Sequence, residues 1–428
     1  MELRSGSIVA IIGGGPAGAA CAIRLKREAR SADKNIRVVL FEGKDFSVHY
    51  NQCVGVLSPP IVTLLREELG LTLPTWIIKQ TIKGYWLHCC GEQAFLADEE
   101  MWGPTYAVRR SHFDRYLLEE ARSLGVEVVP SRVTGVEWTE QGQPQAVRIY
   151  SEASFLRADV VVGAFGLDEA MLSVFEMGTA KMGGYRRPRS FLKTFVAKLH
   201  PPDKSFVLQK FDGSVHALLF PPSLPEIEFA ALTPKGDHIV INIAGRRVTS
   251  SDMDAFLELP LVGGLLPPFD RDALNYYQGR FPTSQARNPY GDHYVLVGDA
   301  TGWLRPFKGK GINTALVTGS RAAQALVRNG FSRKALAHYA LGCQDLTADF
   351  PYGLGVRSFT KGACRTRCFG ILMRASRTDP GLQEAFHGAV SGQASFKEVI
   401  GKTLNRQTFK RIWGELGNGR SGIQLRKV

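Results

Sequence analysis

The chain has 428 residues, of which 44% are apolar and 22% charged, an ordinary globular balance with length for two or three structural units. No uninterrupted apolar run reaches the roughly 18 residues of a membrane-spanning helix, which argues against a polytopic membrane protein. Net charge is +13 and lopsided: 21 Lys and Arg face 6 Asp and Glu in residues 301–428, leaving −2 for residues 1–300. That asymmetry suggests an anionic partner for the C-terminal part, a membrane surface rather than nucleic acid, against the plainer reading of a solvated basic face.

In chain order, "SIVAIIGGGPAGAACAIRLKREA" reads as a buried strand, a glycine turn and a helix from about Pro16. The apolar start runs straight into glycines without a small-residue cleavage site, so it is expected to be a first strand and not a signal peptide. "NIRVVLFEG" predicts a second strand closing on Glu42, the opening of a parallel doubly wound sheet. "RRSHFDRYLLEEARSLG" predicts a helix, with Phe113, Leu117, Leu118 and Ala121 at helical spacing and Gly125 as a stop. "VEVVP" and "ADVVVGAFG" are further buried strands. From about Phe191 to Ala286, short alternating stretches ("SFVLQKF", "VHALLFP", "EIEFAAL", "HIVINIAG") predict an inserted antiparallel sheet. "YVLVGDATG" returns to a parallel strand, and the residues from about 331 onward are expected to be helical.

Seven cysteines, Cys21, Cys53, Cys89, Cys90, Cys343, Cys364 and Cys368, are odd in number and unpatterned, which fits reduced thiols in a cytoplasm. Cys364 and Cys368 are four apart with no second pair after them, so no metal site is expected.

The chemistry begins at Gly13-x-Gly15-x-x-Gly18, set between strand and helix, with Glu42 ending the next strand. Glycines there allow a tight turn, close backbone approach to a pyrophosphate and helix-on-strand packing. The helix N-terminus that opens with Pro16 offers the amide donors of Ala17 and Gly18 to phosphate, and Glu42 can accept from ribose hydroxyls. This fingerprint does not separate NAD from FAD. The distant "YVLVGDATGWLRPFKGKGIN" does: it has Gly298-Asp299 at a strand end, then Pro306-x-x-Gly309-x-Gly311 opening a helix through Ile312 and Asn313.

That segment resembles the second FAD signature of flavoprotein hydroxylases and reductases, which implies that Asp299 bonds the ribitol and that the helix N-terminus faces the flavin. "ADVVVGAFG" is similar to the intermediate motif of those proteins, with Phe165 where they have Asp. Arg110 matches their arginine at the start of the helix that contacts flavin or its phosphates. Gly302 stands where aromatic hydroxylases carry His, and the variant resembles the geranylgeranyl reductase family. "NQCVGV" resembles its cysteine turn, and "AVSGQASFKEVIGK" its C-terminal segment. "ALLFPP" keeps Phe220-Pro221 of its substrate-sheet motif, without the Tyr and Trp that usually precede them.

The resemblance implies an α/β fold: an FAD-binding Rossmann-like doubly wound domain with an inserted antiparallel substrate sheet and a helical C-terminal part. The expected segments are 1–75, 106–190 and 287–330 for FAD, 76–105 and 191–286 for the substrate sheet, and 331–428 for the helical part. It further implies FAD-dependent saturation of isoprenoid double bonds, with Cys53 beside the flavin and Phe220 and Pro221 toward the substrate. Such a reaction needs hydride at one carbon and a proton at the other. An ordinary thiol, with pKa about 8.5, is protonated at neutral pH and can supply it. Cys53 is one candidate donor, His49 and Tyr50 are rivals, and a small residue filling a turn is the structural alternative. Two other functions fit the same fold: a monooxygenase or halogenase acting on an aromatic compound, and an electron-transfer flavoprotein reducing a membrane quinone. No second strand–GxGxxG–helix unit is visible, so NAD(P)H would dock transiently or a redox protein would serve as reductant.

Overall fold

The computed structural model describes residues 1–48, 53–97, 103–139, 146–307, 309–404 and 411. Its first sheet is built on the strand Ile8–Ile12, an apolar run without alternation, as suits a strand covered on both faces. This strand lies between Val160–Gly163 and Arg37–Phe41, parallel to both. Glu127–Val129 extends the sheet on one side, and Tyr294–Leu296 with the antiparallel Tyr290–Gly291 on the other. Helices Pro16–Ser31, Arg110–Ser123 and Gly311–Arg328 bury one face. Phe175 of the helix Glu169–Gly178 and the three-stranded sheet of Val133–Trp138, Val147–Ser151 and Phe155–Ala158 bury the other.

The second sheet has seven strands in the order Tyr276–Pro282, Phe191–Leu199, Ile239–Gly245, Phe229–Pro234, Ser214–Leu219, Gly84–Cys89 and Glu92–Ala97. It is antiparallel except where Ser214–Leu219 runs parallel to Gly84–Cys89, so the sheet expected to be wholly antiparallel is mixed at one pairing. Ile239–Gly245 is buried at every position because both faces are covered. Phe211 and Phe256 pack on one face, and Phe369, Phe386 and Phe396 on the other.

"SFVLQKF" is a helix, Ser205–Phe211, and not the predicted strand. Its apolar residues satisfy either period over so short a run. The four-residue step from Val207 to Phe211, both buried, decides for the helix. Asp203 Oδ1 accepts from the Ser205 amide at its start, and Asp212, at φ 42°, ends it.

Helices Phe350–Arg365, Phe369–Ser376, Pro380–Ser391 and Phe396–Thr403 roof the second sheet. Arg357 reaches down from this roof to Glu228 through two hydrogen bonds of 2.7 and 2.9 Å, both side chains buried. Among the described residues no helix is long and apolar enough to cross a membrane. Of the basic groups near the C-terminus, Lys402 pairs with Glu384 at 2.7 Å and Arg411 with Asp379 at 3.7 Å.

Candidate functional site

The glycine turn does what its spacing requires. Gly13 has φ +103°, and a Cβ there would stand 2.5 Å from the Ala164 carbonyl oxygen. A Cβ on Gly18 would meet the Gly13 oxygen at 1.9 Å, so this position must be bare for the helix to rest on the turn. At Gly15 a Cβ would meet nothing within 4 Å, because the position opens into a cavity. No side chain caps the helix that Pro16 begins, and its first-turn donors are left for a ligand. Glu42 Oε2 accepts from the Gly14 amide and Oε1 from the Lys44 amide, each at 2.8 Å. Each oxygen keeps acceptor capacity toward the cavity, which Glu42 lines.

Across the cavity stands the second cofactor segment. Gly298, Asp299, Gly309, Gly311, Ile312 and Asn313 all line it, whereas Pro306 is buried behind the wall. The helix Gly311–Arg328 starts after Lys310, whose φ of +79° turns the chain sharply, and again no side chain caps it. Lys310 Nζ donates to the carbonyls of Pro59 and Gly392, and Asn313 Nδ2 to that of Ser58. These bonds tie the helix start to the turn after Cys53.

Among the described residues Asp299 accepts no side-chain or backbone hydrogen bond on its carboxylate, and burial pushes its carboxyl up to about 6, with Arg110 pulling the other way. A hydroxyl donor filling that vacancy favours the ionised form. If Asp299 accepts from the ribitol, as the resemblance implies, proton linkage gives a sign: FAD should bind best above about pH 6 and weaken as the pH falls through it, by up to about tenfold per pH unit. Flavin fluorescence titrations between pH 5 and 8 measure this, and the dependence should vanish in Asp299→Asn.

Cys53 lines the cavity, and its sulfur accepts from the Gly55 amide at 3.3 Å. Arg110 lines the cavity beside it and is held by a two-pronged pair with Asp114, both bonds 3.0 Å. His49 and Tyr50, the rival donors, lie outside the described residues. Behind the thiol turn is a group that the sequence did not single out. Lys235 is 3% exposed, its Nζ donates to the Val108 carbonyl at 2.7 Å, and it stands 2.8 Å from where a Gly55 Cβ would be. Burial pushes its ammonium down to about 7, with Cys53 opposing and Lys198, Arg110 and Arg109 assisting. A lysine in "TPKGDH" reads as a solvated turn charge, and only the tertiary packing of that turn against Gly55 reveals otherwise.

Beyond Cys53 the wall turns apolar. Tyr85, Leu87, Val215 and Leu219 come from the sheet, and Phe359, Phe369, Leu372 and Phe386 from the helical roof. Phe220 and Pro221 are not on this wall. Phe220 is buried and stacks on Phe307, which is. The cavity measures about 2030 Å³, well above the roughly 300–1,000 Å³ of a site for one small ligand. Its two ends differ in chemistry as well: amide donors and a carboxylate at one, hydrocarbon at the other.

Comparison with known proteins agrees with this division. A family described as FAD-NAD(P)-binding matches residues 10–168. The digeranylgeranylglycerophospholipid reductase of Methanococcus vannielii is 24% identical over 342 residues, which is 77% of this chain and 80% of that protein. Among solved structures, a geranylgeranyl bacteriochlorophyll reductase-like protein from Thermoplasma acidophilum superposes with a TM-score of 0.70 at 17% identity, over 97% of this chain and 99% of that one. A flavin-dependent brominase superposes at 0.64 with 16% identity, over 96% of this chain and 98% of that one. The fold is that of FAD-dependent oxidoreductases, and FAD fits the donors and the carboxylate that the cavity presents.

Proposed function

We propose that this homologue of FAD-dependent reductases of the geranylgeranyl reductase type saturates double bonds in an isoprenoid chain. One observation carries the reading. The glycine turn, Cys53 and hydrocarbon side chains from the sheet and the helical roof all line one cavity of about 2030 Å³, which gives an apolar chain access to the cofactor end. FAD held along the turn and reduced by an external electron donor would supply hydride to one carbon of the double bond. The rest falls to the chain. The apolar walls hold an extended tail and exclude water, so the chain must provide the proton for the second carbon. Cys53 lines the same cavity as the cofactor-end residues and the apolar wall, and we assign it that proton. Arg110 and Lys235 then face the thiolate left behind and stabilise it.

The test is an anaerobic one. Reduced protein should be reoxidised by a geranylgeranyl lipid, and the product should gain two hydrogen atoms per double bond. The brominase-like fold favours a second reading as a monooxygenase or halogenase. That reading wins if reoxidation requires oxygen and the product carries a new oxygen or halogen. Quinone reduction that leaves the lipid unchanged would instead mark an electron carrier.

A water-insoluble substrate has to be collected from a membrane or a carrier. The charge of +15 over residues 301–428 provides attraction to an anionic surface, at about 1 kcal/mol for each free basic group near it. The pairing of Lys402 and Arg411 removes part of this; Arg406 and Lys410 lie outside the described residues. Salt-sensitive flotation with anionic vesicles is the expected result, weakened when Lys402, Arg406, Lys410 and Arg411 all become Gln. Absence of flotation at low salt would leave these residues as a solvated face.

A further inference from the structure

The fold gathers three thiols that the sequence keeps far apart. Cys89 ends the strand Gly84–Cys89, Cys90 begins the turn to Glu92–Ala97, and Cys364 comes from the last turn of the helix Phe350–Arg365. Cys89 Sγ stands 3.0 Å from Cys364 Sγ and 3.5 Å from Cys90 Sγ, and all three sulfurs lie within 4.8 Å of one another. Cys89 and Cys364 are 5% and 2% exposed, and Cys90 is half-buried.

Two features make this more than thiols filling a core. Cys90 has φ +55° and Gly91 φ +81°, the geometry of a two-residue hairpin turn, where Asn-Gly is the usual solution. A cysteine there accepts a left-handed backbone that costs an ordinary residue about 1 kcal/mol or more, and its sulfur reaches the Cys89 sulfur and the Cys364 carbonyl, each at 3.5 Å. The neighbouring helix also presents glycine to the cluster. A Cβ on Gly370 would be in ordinary contact with Cys90 Cβ at 3.5 Å, so the glycine leaves the room of one methyl group on that side.

We propose that Cys89, Cys90 and Cys364 form a three-thiolate site for a soft, closed-shell metal ion of the Zn²⁺ or Cu⁺ class. Thiolates select such ions over hard cations. Metal–sulfur bonds of about 2.3 Å require sulfurs about 3.7–4.0 Å apart. The observed spacing reaches that with shifts of less than an ångström. A disulfide uses only two of the sulfurs and gives the third no role. Each thiol that ligates the ion releases its proton to solvent.

The place gives the site its consequence. Tyr85 and Leu87 on the cysteine-bearing strand and Phe359, Thr360 and Ala363 on the cysteine-bearing helix all line the large cavity. An ion held here clasps floor to roof beside the chamber. Arg374 and Arg377, both paired to Glu92, brace the same hairpin from the next helix.

The experiment uses the full-length, flavin-loaded protein, reduced, freed of reductant under argon and titrated with Cd²⁺. The thiolate-to-metal band in the ultraviolet should saturate at one ion per chain with release of protons. Cys90→Ser, on a half-exposed turn, should keep the fold and weaken Cd²⁺ binding by at least about tenfold. Cys89→Ser with Cys364→Ser should abolish the band, and Cys368→Ser should leave it unchanged. A band that never saturates, or that survives in the Cys89→Ser/Cys364→Ser protein, overturns the site. A Cys89–Cys364 cross-link in metal-free purified protein, found by non-reducing peptide mapping, overturns it in favour of a redox pair.

Discussion

Glu228→Ala is expected to destabilise the protein by about 3–5 kcal/mol, because it leaves the buried Arg357 guanidinium without its counter-charge. The pair is almost sealed from water, at 8% and 4% side-chain exposure, and Lys361 adds a second cation 3.8 Å from the same carboxylate. Removing the carboxylate therefore leaves two like charges facing each other across apolar surroundings, whereas removing both partners of the main pair leaves little to repel. The double change Glu228→Leu/Arg357→Met should recover most of the loss, since buried ion pairs seldom surpass hydrocarbon of similar volume. The denaturant midpoint of the flavin-loaded protein reports both. An unchanged midpoint in the single variant would remove the pair from any role in holding the roof. Because it links the roof helix to the sheet and not to the glycine turn, lipid turnover should suffer before FAD is lost.

The parts of this molecule that were legible in the sequence are those whose meaning is local. A buried strand, three spaced glycines and a helix form one continuous segment, and sterics alone fix what Gly13 and Gly18 must do. The second segment was readable for the same reason: Asp299 sits in the short 3-10 turn that follows the strand Tyr294–Leu296, and Gly311 opens a helix soon after. Where two periods coincide, as in "SFVLQKF", sequence pattern has no means of choosing. The choice was made by which side chains the neighbouring sheet buries.

Long-range assembly was not legible. Lys235 lies 180 residues from Gly55, and nothing near it in sequence says that its amine will be sealed beneath a thiol turn. Cys364 meets Cys89 across 275 residues, so spacing rules that look for nearby cysteine pairs pass over both. Phe220 and Pro221 show the converse. A local motif pointed at the substrate, yet Phe220, at φ +43°, stacks on Phe307 and stands behind the cavity wall, not on it.

Cys53→Ser should retain FAD and slow reoxidation by the lipid by about 10²-fold or more, the usual scale for losing a general acid. A hydroxyl is a far weaker acid than a thiol, while the two side chains are similar in size, so the change separates proton donation from packing. The role of Lys235 follows from the charge that donation creates. When Cys53 gives up its proton, an anion forms beside Arg110 and above Lys235, and a charged Lys235 favours it. The ammonium titrates at about 7. The chemical step should therefore be fastest below that pH and decline as the pH rises through it. Lys235→Met removes the titrating group and keeps a chain of similar length, so it should flatten this limb of the profile and lower the rate on the acidic side. Flavin content should remain normal, because Lys235 does not line the cofactor end of the cavity. Stopped-flow reoxidation of anaerobically reduced enzyme, followed from pH 6 to 9, separates these effects. If Cys53→Ser reacts at the unaltered rate, the thiol is a turn filler and the proton comes from elsewhere. If Lys235→Met keeps the full pH limb, the buried amine is structural alone.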